Sequence, residues 1–120
     1  GDDFFNDLTG VQECNKEGNV VQLELYSENL TGTIPSELGL LTELMDLNLA
    51  INNLSGEVPV SLSNISTLNE VYLYWNDLTG SMEHFCTNNK EYIYLSADCF
   101  GRHKKNKTGI ECSCCDACSP

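Results

Sequence analysis

Apolar residues return to the same places every 24 positions between residues 20 and 91. The middle stretch carries them at Leu44, Leu47, Leu49, Leu54, Val58 and Leu62, with Asn52, Gly56 and Pro59 between. The stretch before it reads Val20, Leu23, Leu25, Glu28, Leu30, Gly32, Ile34-Pro35 and Leu38, and the one after reads Leu68, Val71, Leu73, Asn76, Leu78, Gly80 and Met82. Leu23/Leu25, Leu47/Leu49 and Val71/Leu73 are two apart, so each pair shares one face of a short strand. One such stretch cannot bury its own apolar side, and a fixed period of this length predicts that the copies stack. Asn52 and Asn76 then turn inward, where a buried amide needs partners and can tie neighbouring backbones together. Gly32, Gly56 and Gly80 mark a turn needing freedom at φ, and Pro35 and Pro59 end the pairing and fix the return path. Ser36–Gly39 and Ser61–Asn64 are too short and too rich in Gly, Ser and Asn for regular helix, so 3₁₀ or irregular structure is expected there.

These slots resemble the plant-type leucine-rich repeat, LxxLxLxxNxLxGxIPxxL, over roughly three-fifths of the chain. Glu28 departs from its Asn in the first copy and Met82-Glu83 from its Ile-Pro in the third, as terminal copies do. The resemblance implies an α/β-type repeat solenoid. It would be a short right-handed coil with a small parallel sheet of about four strands, an irregular or 3₁₀ convex side and a disulfide-rich C-terminal cap. Residues 1–19 read as a partial N-terminal cap, with Phe4, Phe5, Leu8 and Val11 available to cover the first coil. Residues 20–91 are the three repeats. Residues 92–120 hold an incomplete fourth repeat (Tyr92, Leu95 and Ala97 inward, Phe100 in the Asn slot) and the Cys-rich cap. The ending Ala97-Asp98-Cys99 … Glu111-Cys112-Ser113-Cys114-Cys115-Asp116-Ala117-Cys118 is similar to the caps of secreted leucine-rich repeat proteins of diatoms and related algae, which implies secretion or surface display.

Cysteine and charge narrow the setting. Cys86, Cys99, Cys112, Cys114, Cys115 and Cys118 suffice for three bridges in any of fifteen pairings. Cys14 is left unpaired, or bridges to another molecule. Asn29, Asn53, Asn64 and Asn106 each begin an Asn-x-Ser/Thr glycosylation site. Dense cysteine with dense sequons predicts a secreted, extracellular or cell-surface glycoprotein. The chain lacks an initiator Met, a signal peptide and an apolar run of spanning length, which fits a mature secreted chain or a fragment of a larger one. The net charge is −12, yet Arg102, Lys104, Lys105 and Lys107 cluster near the end, giving an acidic head and a basic tail. An acidic body argues against nucleic acid or membrane insertion.

Chemistry is sparse. Adjacent Cys114-Cys115 suits disulfides better than a zinc cage, and Cys115-x-x-Cys118 lacks a helix N-terminus to make it a redox pair. No nucleophile–base spacing or phosphate loop occurs, so the protein is read as no enzyme, with no cofactor and no metal. Acid pairs such as Glu24/Asp46 have the residue types of a glycosidase but no cleft. The readable surface is the outward side of the strands, where Tyr26, Asp46, Glu70, Tyr72, Tyr74, Trp75 and Tyr94 alternate with the buried leucines. Four strands of roughly 17 Å at ~4.8 Å spacing offer on the order of 250 Å², far below the ~800 Å² per partner of a standard interface. The expected function is protein–protein interaction, foremost self-association of copies, head to tail or lateral, into a fibre or surface coat. The alternative is recognition of a glycan or peptide ligand by the Tyr/Trp patch.

Overall fold

The computed structural model describes residues 11–99 and 109–119. Strands β2 (Val20–Glu24), β4 (Asp46–Asn48), β6 (Glu70–Tyr72) and β8 (Tyr94–Asp98) run parallel, each paired with the residue 24 positions on: Leu23 with Leu47, Leu47 with Val71, Val71 with Leu95. These residues, with Leu25, Leu49, Leu73 and Ala97, are fully buried and form the centre of the core. Burying one Leu or Val in this way contributes about 1.5–3 kcal/mol.

On one side of this column β1 (Val11–Cys14) folds back antiparallel on β2, and on the other β10 (Ala117–Ser119) pairs parallel with β8. The first sheet is therefore six-stranded and mixed, in the order β1-β2-β4-β6-β8-β10. A second sheet of four parallel strands, β3 (Thr31–Thr33), β5 (Asn53–Glu57), β7 (Asp77–Ser81) and β9 (Ile110–Glu111), lies along the chain's next turn. Gly56 sits in β5 at φ 78°, and a Cβ there would also meet the Thr33 methyl at 3.1 Å, so only glycine fits. Two 3₁₀ turns, Ser36–Leu40 and Val60–Asn64, follow Pro35 and Pro59 and bury Leu38 and Leu62. They lie so close that a Cβ on Gly39 would come within 2.6 Å of Ser61 Cβ. The one helix among the described residues is α1, Glu83–Cys86, which buries Phe85.

This corrects the expected architecture. In place of an open right-handed leucine-rich repeat coil with about four strands, an irregular convex side and an appended cap, the described residues form one compact domain with one helix and two sheets. Its radius of gyration, 13.6 Å, is that of a globular chain of this length. The reasons lie in the segments around the repeats. The residues after each buried Asn slot have free N–H and C=O groups and pair with one another as a second sheet, because an unpaired backbone group is costly. The Cys-rich tail supplies a strand to each sheet, and β1 closes the opposite edge.

The inward asparagines act as buried amides must. Asn52 Oδ1 accepts from Glu28 N and Leu30 N, both at 3.0 Å, while its Nδ2 donates to Leu25 O and Leu49 O at 3.0 Å and to Ala50 O at 3.2 Å. Asn76 repeats this one strand later, accepting from Leu54 N and donating to Leu49 O, Leu73 O and Tyr74 O. The next acceptor comes from Asp98, whose carboxylate takes Trp75 N at 3.0 Å and Asn76 N at 2.8 Å. Phe100, expected in that slot, lies outside the described residues, as do Phe4, Phe5, Leu8 and the basic cluster 102–107.

Candidate functional site

The solvent side of the six-stranded sheet follows from strand alternation, since residues flanking the buried Leu47, Val71 and Leu95 point the other way. The pairing register sets Asp46 beside Glu70 and Glu70 beside Tyr94 in one row. It sets Asn48 beside Tyr72 and Tyr72 beside Ser96 in the next. Two adjacent strands thus bring two carboxyl groups together with no lysine or arginine in that row.

The electrostatic result falls on Asp46. Partial burial, then a hydrogen bond with Glu70, then the charge of Glu70 push the Asp46 carboxyl up to about 6. Burial and the charge of Glu70 also raise Tyr72, whose hydroxyl donates to Glu70 Oε1 at 3.4 Å. The Tyr72 and Tyr94 rings stand 5.1 Å apart, tilted by 30°. Beneath them Ser96 is 1 % exposed, and its hydroxyl has no partner among the described residues. Glu24, at the far side, is occupied by Gln22 Nε2 at 3.0 Å.

Asp46, Glu70, Tyr72 and Tyr94 are therefore one cluster. Tyr74 and Trp75 form a separate edge-to-face pair with centroids 6.1 Å apart at the strand's end. Trp75 is 59 % exposed and holds a left-handed backbone at φ 57°, strained for so large a residue. The Asp98 carboxylate on its N–H keeps it there. Tyr26 is exposed beyond the end of β2, two strands from Glu70 and Tyr72. Ala50 is buried, because the chain has already turned inward on its way to Asn52.

The sequons Asn29, Asn53 and Asn64 have exposed side chains, and Asn106 lies outside the described residues. Disulfides join Cys86 to Cys114, Cys99 to Cys118 and Cys112 to Cys115, leaving Cys14 an exposed free thiol. No helix among the described residues is long and apolar enough to cross a membrane. The Sγ atoms of Cys86, Cys112 and Cys114 lie within 4.8 Å of one another, all engaged in these bridges. His84 packs on Phe85 with centroids 4.7 Å apart, and burial lowers its pKa; it faces none of the acidic cluster's row.

Two site features escape a sequence reading. Asp98 stands 22 residues after Asn76, the offset at which Asn76 Oδ1 meets Leu54 and Asn52 Oδ1 meets Leu30; that offset is the signal that marks it. The nearness of Asp46 to Glu70 follows from the 24-residue register, whereas Glu24, the acid weighed with Asp46, pairs with Asn48.

No protein-family model matches the chain, and no curated protein matches it at a significant level. The likeness to plant-type leucine-rich repeats and to secreted algal relatives is corrected accordingly: it rested on three in-phase stretches, and the described residues are one compact domain of one helix and two sheets. Self-association into a fibre or coat through a repeat surface falls with it. That expectation needed a repeat architecture, and the described residues form two sheets and one short helix instead. The recognition role assigned to a leucine-rich repeat face has no such face to rest on.

Proposed function

We propose that this is a non-catalytic binding domain for an organic cation, the arginine side chain of a basic peptide, with Asp46 and Glu70 as its anionic seat. The observation that carries the proposal is the placing of Asp46 beside Glu70 on adjacent strands, with the Asp46 carboxyl pushed up to about 6. Two carboxylates forced together repel when both ionise, and a bound cation relieves that repulsion by replacing the proton. A guanidinium offers planar, paired donors that match such a seat, and the faces of Tyr72 and Tyr94 suit its flat cationic group. The net charge of −12 draws cationic partners in. Glycoside hydrolysis is disfavoured, because carboxyls in hydrogen-bond contact leave no room for a sugar linkage, which needs a separation of about 5 Å or more. The three disulfides and the exposed Asn29, Asn53 and Asn64 support an extracellular, glycosylated setting.

The sign of the pH dependence follows. A cation favours the ionised pair, so binding lowers the Asp46 pKa, and by linkage affinity falls as pH drops below about 6. Calorimetric titration with an arginine-rich peptide is expected to show affinity at pH 7.5 that weakens about tenfold at pH 5. The Asp46→Asn/Glu70→Gln double variant is expected to lose both the binding and its pH dependence. Affinity that survives in this variant, or a preference for calcium over the peptide, would reject the reading.

A further inference from the structure

Two of the three disulfides meet at one place. We propose that Cys86–Cys114 and Cys112–Cys115 form a thiol–disulfide exchange site that takes electrons from a small dithiol and passes them from the first bridge to the second. Three observations carry this. The sulfurs of Cys86, Cys112 and Cys114 lie within 4.8 Å of one another, so a thiolate released from one bridge has the other bridge in reach. An open cavity of about 330 Å³, walled by Phe85, Tyr92 and Lys90, has Cys86 and Cys114 in its lining, and Cys114 is exposed. A reactant therefore reaches the first bridge from solvent. Finally, the sulfurs are held together by more than their own bonds. Glu83, at the start of α1, accepts Ser113 N at 2.6 Å and the Ser113 hydroxyl at 2.7 Å, and Met82 N donates to Glu111 O at 2.7 Å. Ser113 lies between Cys112 and Cys114, so these contacts keep the tail over Cys86 when a bridge opens. Lys90 also lines the cavity, with its ammonium donating to Ile65 O and Ser66 O.

The exchange balances without another oxidant. A thiolate of the dithiol attacks Cys114 Sγ and releases the Cys86 thiolate. Its second thiol closes on the first, giving the external disulfide and a Cys114 thiolate, so two electrons and two protons have entered the protein. Cys114 then attacks Cys112 Sγ and expels the Cys115 thiolate. Cys86 attacks Cys114 Sγ, restores Cys86–Cys114 and expels the Cys112 thiolate. The cavity bridge is whole again and Cys112/Cys115 hold the electrons. Cys99–Cys118, tied between β8 and β10, takes no part.

The test is a time course with one equivalent of dithiothreitol, quenched in acid, alkylated and mapped by mass spectrometry. Label is expected first on Cys86 and Cys114, then on Cys112 and Cys115, with Cys99 and Cys118 unlabelled. In the Cys86→Ala/Cys114→Ala variant, labelling of Cys112 and Cys115 is expected to slow by about tenfold or more. Should that variant fold poorly, trapping the transient Cys112–Cys114 bridge in the natural protein supports the relay equally. Labelling of Cys112 and Cys115 without passage through the cavity pair, or reduction of Cys99–Cys118 at the same rate, overturns it.

Discussion

Replacing Asn52 by Leu is expected to lower the unfolding free energy by about 4 kcal/mol or more, a large part of the roughly 5–15 kcal/mol a domain has. The side chains have similar volume, so the loss comes from polar groups. Glu28 N and Leu30 N lose their acceptor and Leu25 O loses a donor, while Ala50 O keeps Ser27 N at 3.0 Å. Each such group costs about 1–3 kcal/mol. Leu49 O is different, for Asn76 Nδ2 also donates to it at 3.0 Å. The two asparagines therefore share a partner, and the Asn52→Leu/Asn76→Leu pair is expected to depart from the sum of the single effects. Urea unfolding followed by circular dichroism measures both quantities. A loss below about 1 kcal/mol for Asn52→Leu would mean that the amide is not what joins β2, β4 and the turns between the sheets.

Phe85→Ala is expected to cost about 3–5 kcal/mol. Phe85 is fully buried at the centre of a four-residue helix and meets Tyr92 edge to face at 5.5 Å. A helix this short has no stability of its own, so its position depends on this ring and on the contacts of Glu83 and Met82 with the tail. Removing the ring leaves a cavity next to Cys86 and loosens the seat of Cys86–Cys114. Faster reduction of that bridge should accompany the lost stability, while Cys99–Cys118 keeps its rate. Equal acceleration of both bridges would place the effect in global unfolding instead.

The buried column was legible because its residues repeat at one offset. Leu23, Leu47 and Val71 occupy one slot in the chain and one column in the sheet. The inward turn of Asn52 and Asn76 was legible for the same reason, since polar residues between leucines must be satisfied. The second sheet was not. Thr31–Thr33 is short, exposed at every position and without apolar alternation, so nothing local distinguishes it from a loop. Its pairing is imposed by backbone groups that the stacked column brings side by side. The strands of the tail were hidden by cysteine: Ala117–Ser119 reads as a disulfide cluster, and fifteen pairings left Cys112–Cys115 unseen. In the site, Tyr72 and Tyr94 were expected to share a surface and do, whereas Tyr26 stands apart because β2 and β6 are separated by β4. The Asp46–Glu70 pair was missed because Asp46 was matched with Glu24 on the strand before it and not with Glu70 on the strand after. Across the strands, the 24-residue offset sets the two acids side by side.

The account of function rests on one carboxyl group, and carbon-detected nuclear magnetic resonance of the aspartate side chains observes it directly. Asp46 is expected to titrate near pH 6 in the free protein, well above its ordinary 3.8, and to move down toward that ordinary value once an arginine-rich peptide is added. An Asp46 resonance that titrates near 4 in the free protein, or that the peptide leaves unchanged, would contradict the paired-carboxyl seat and the binding function built on it.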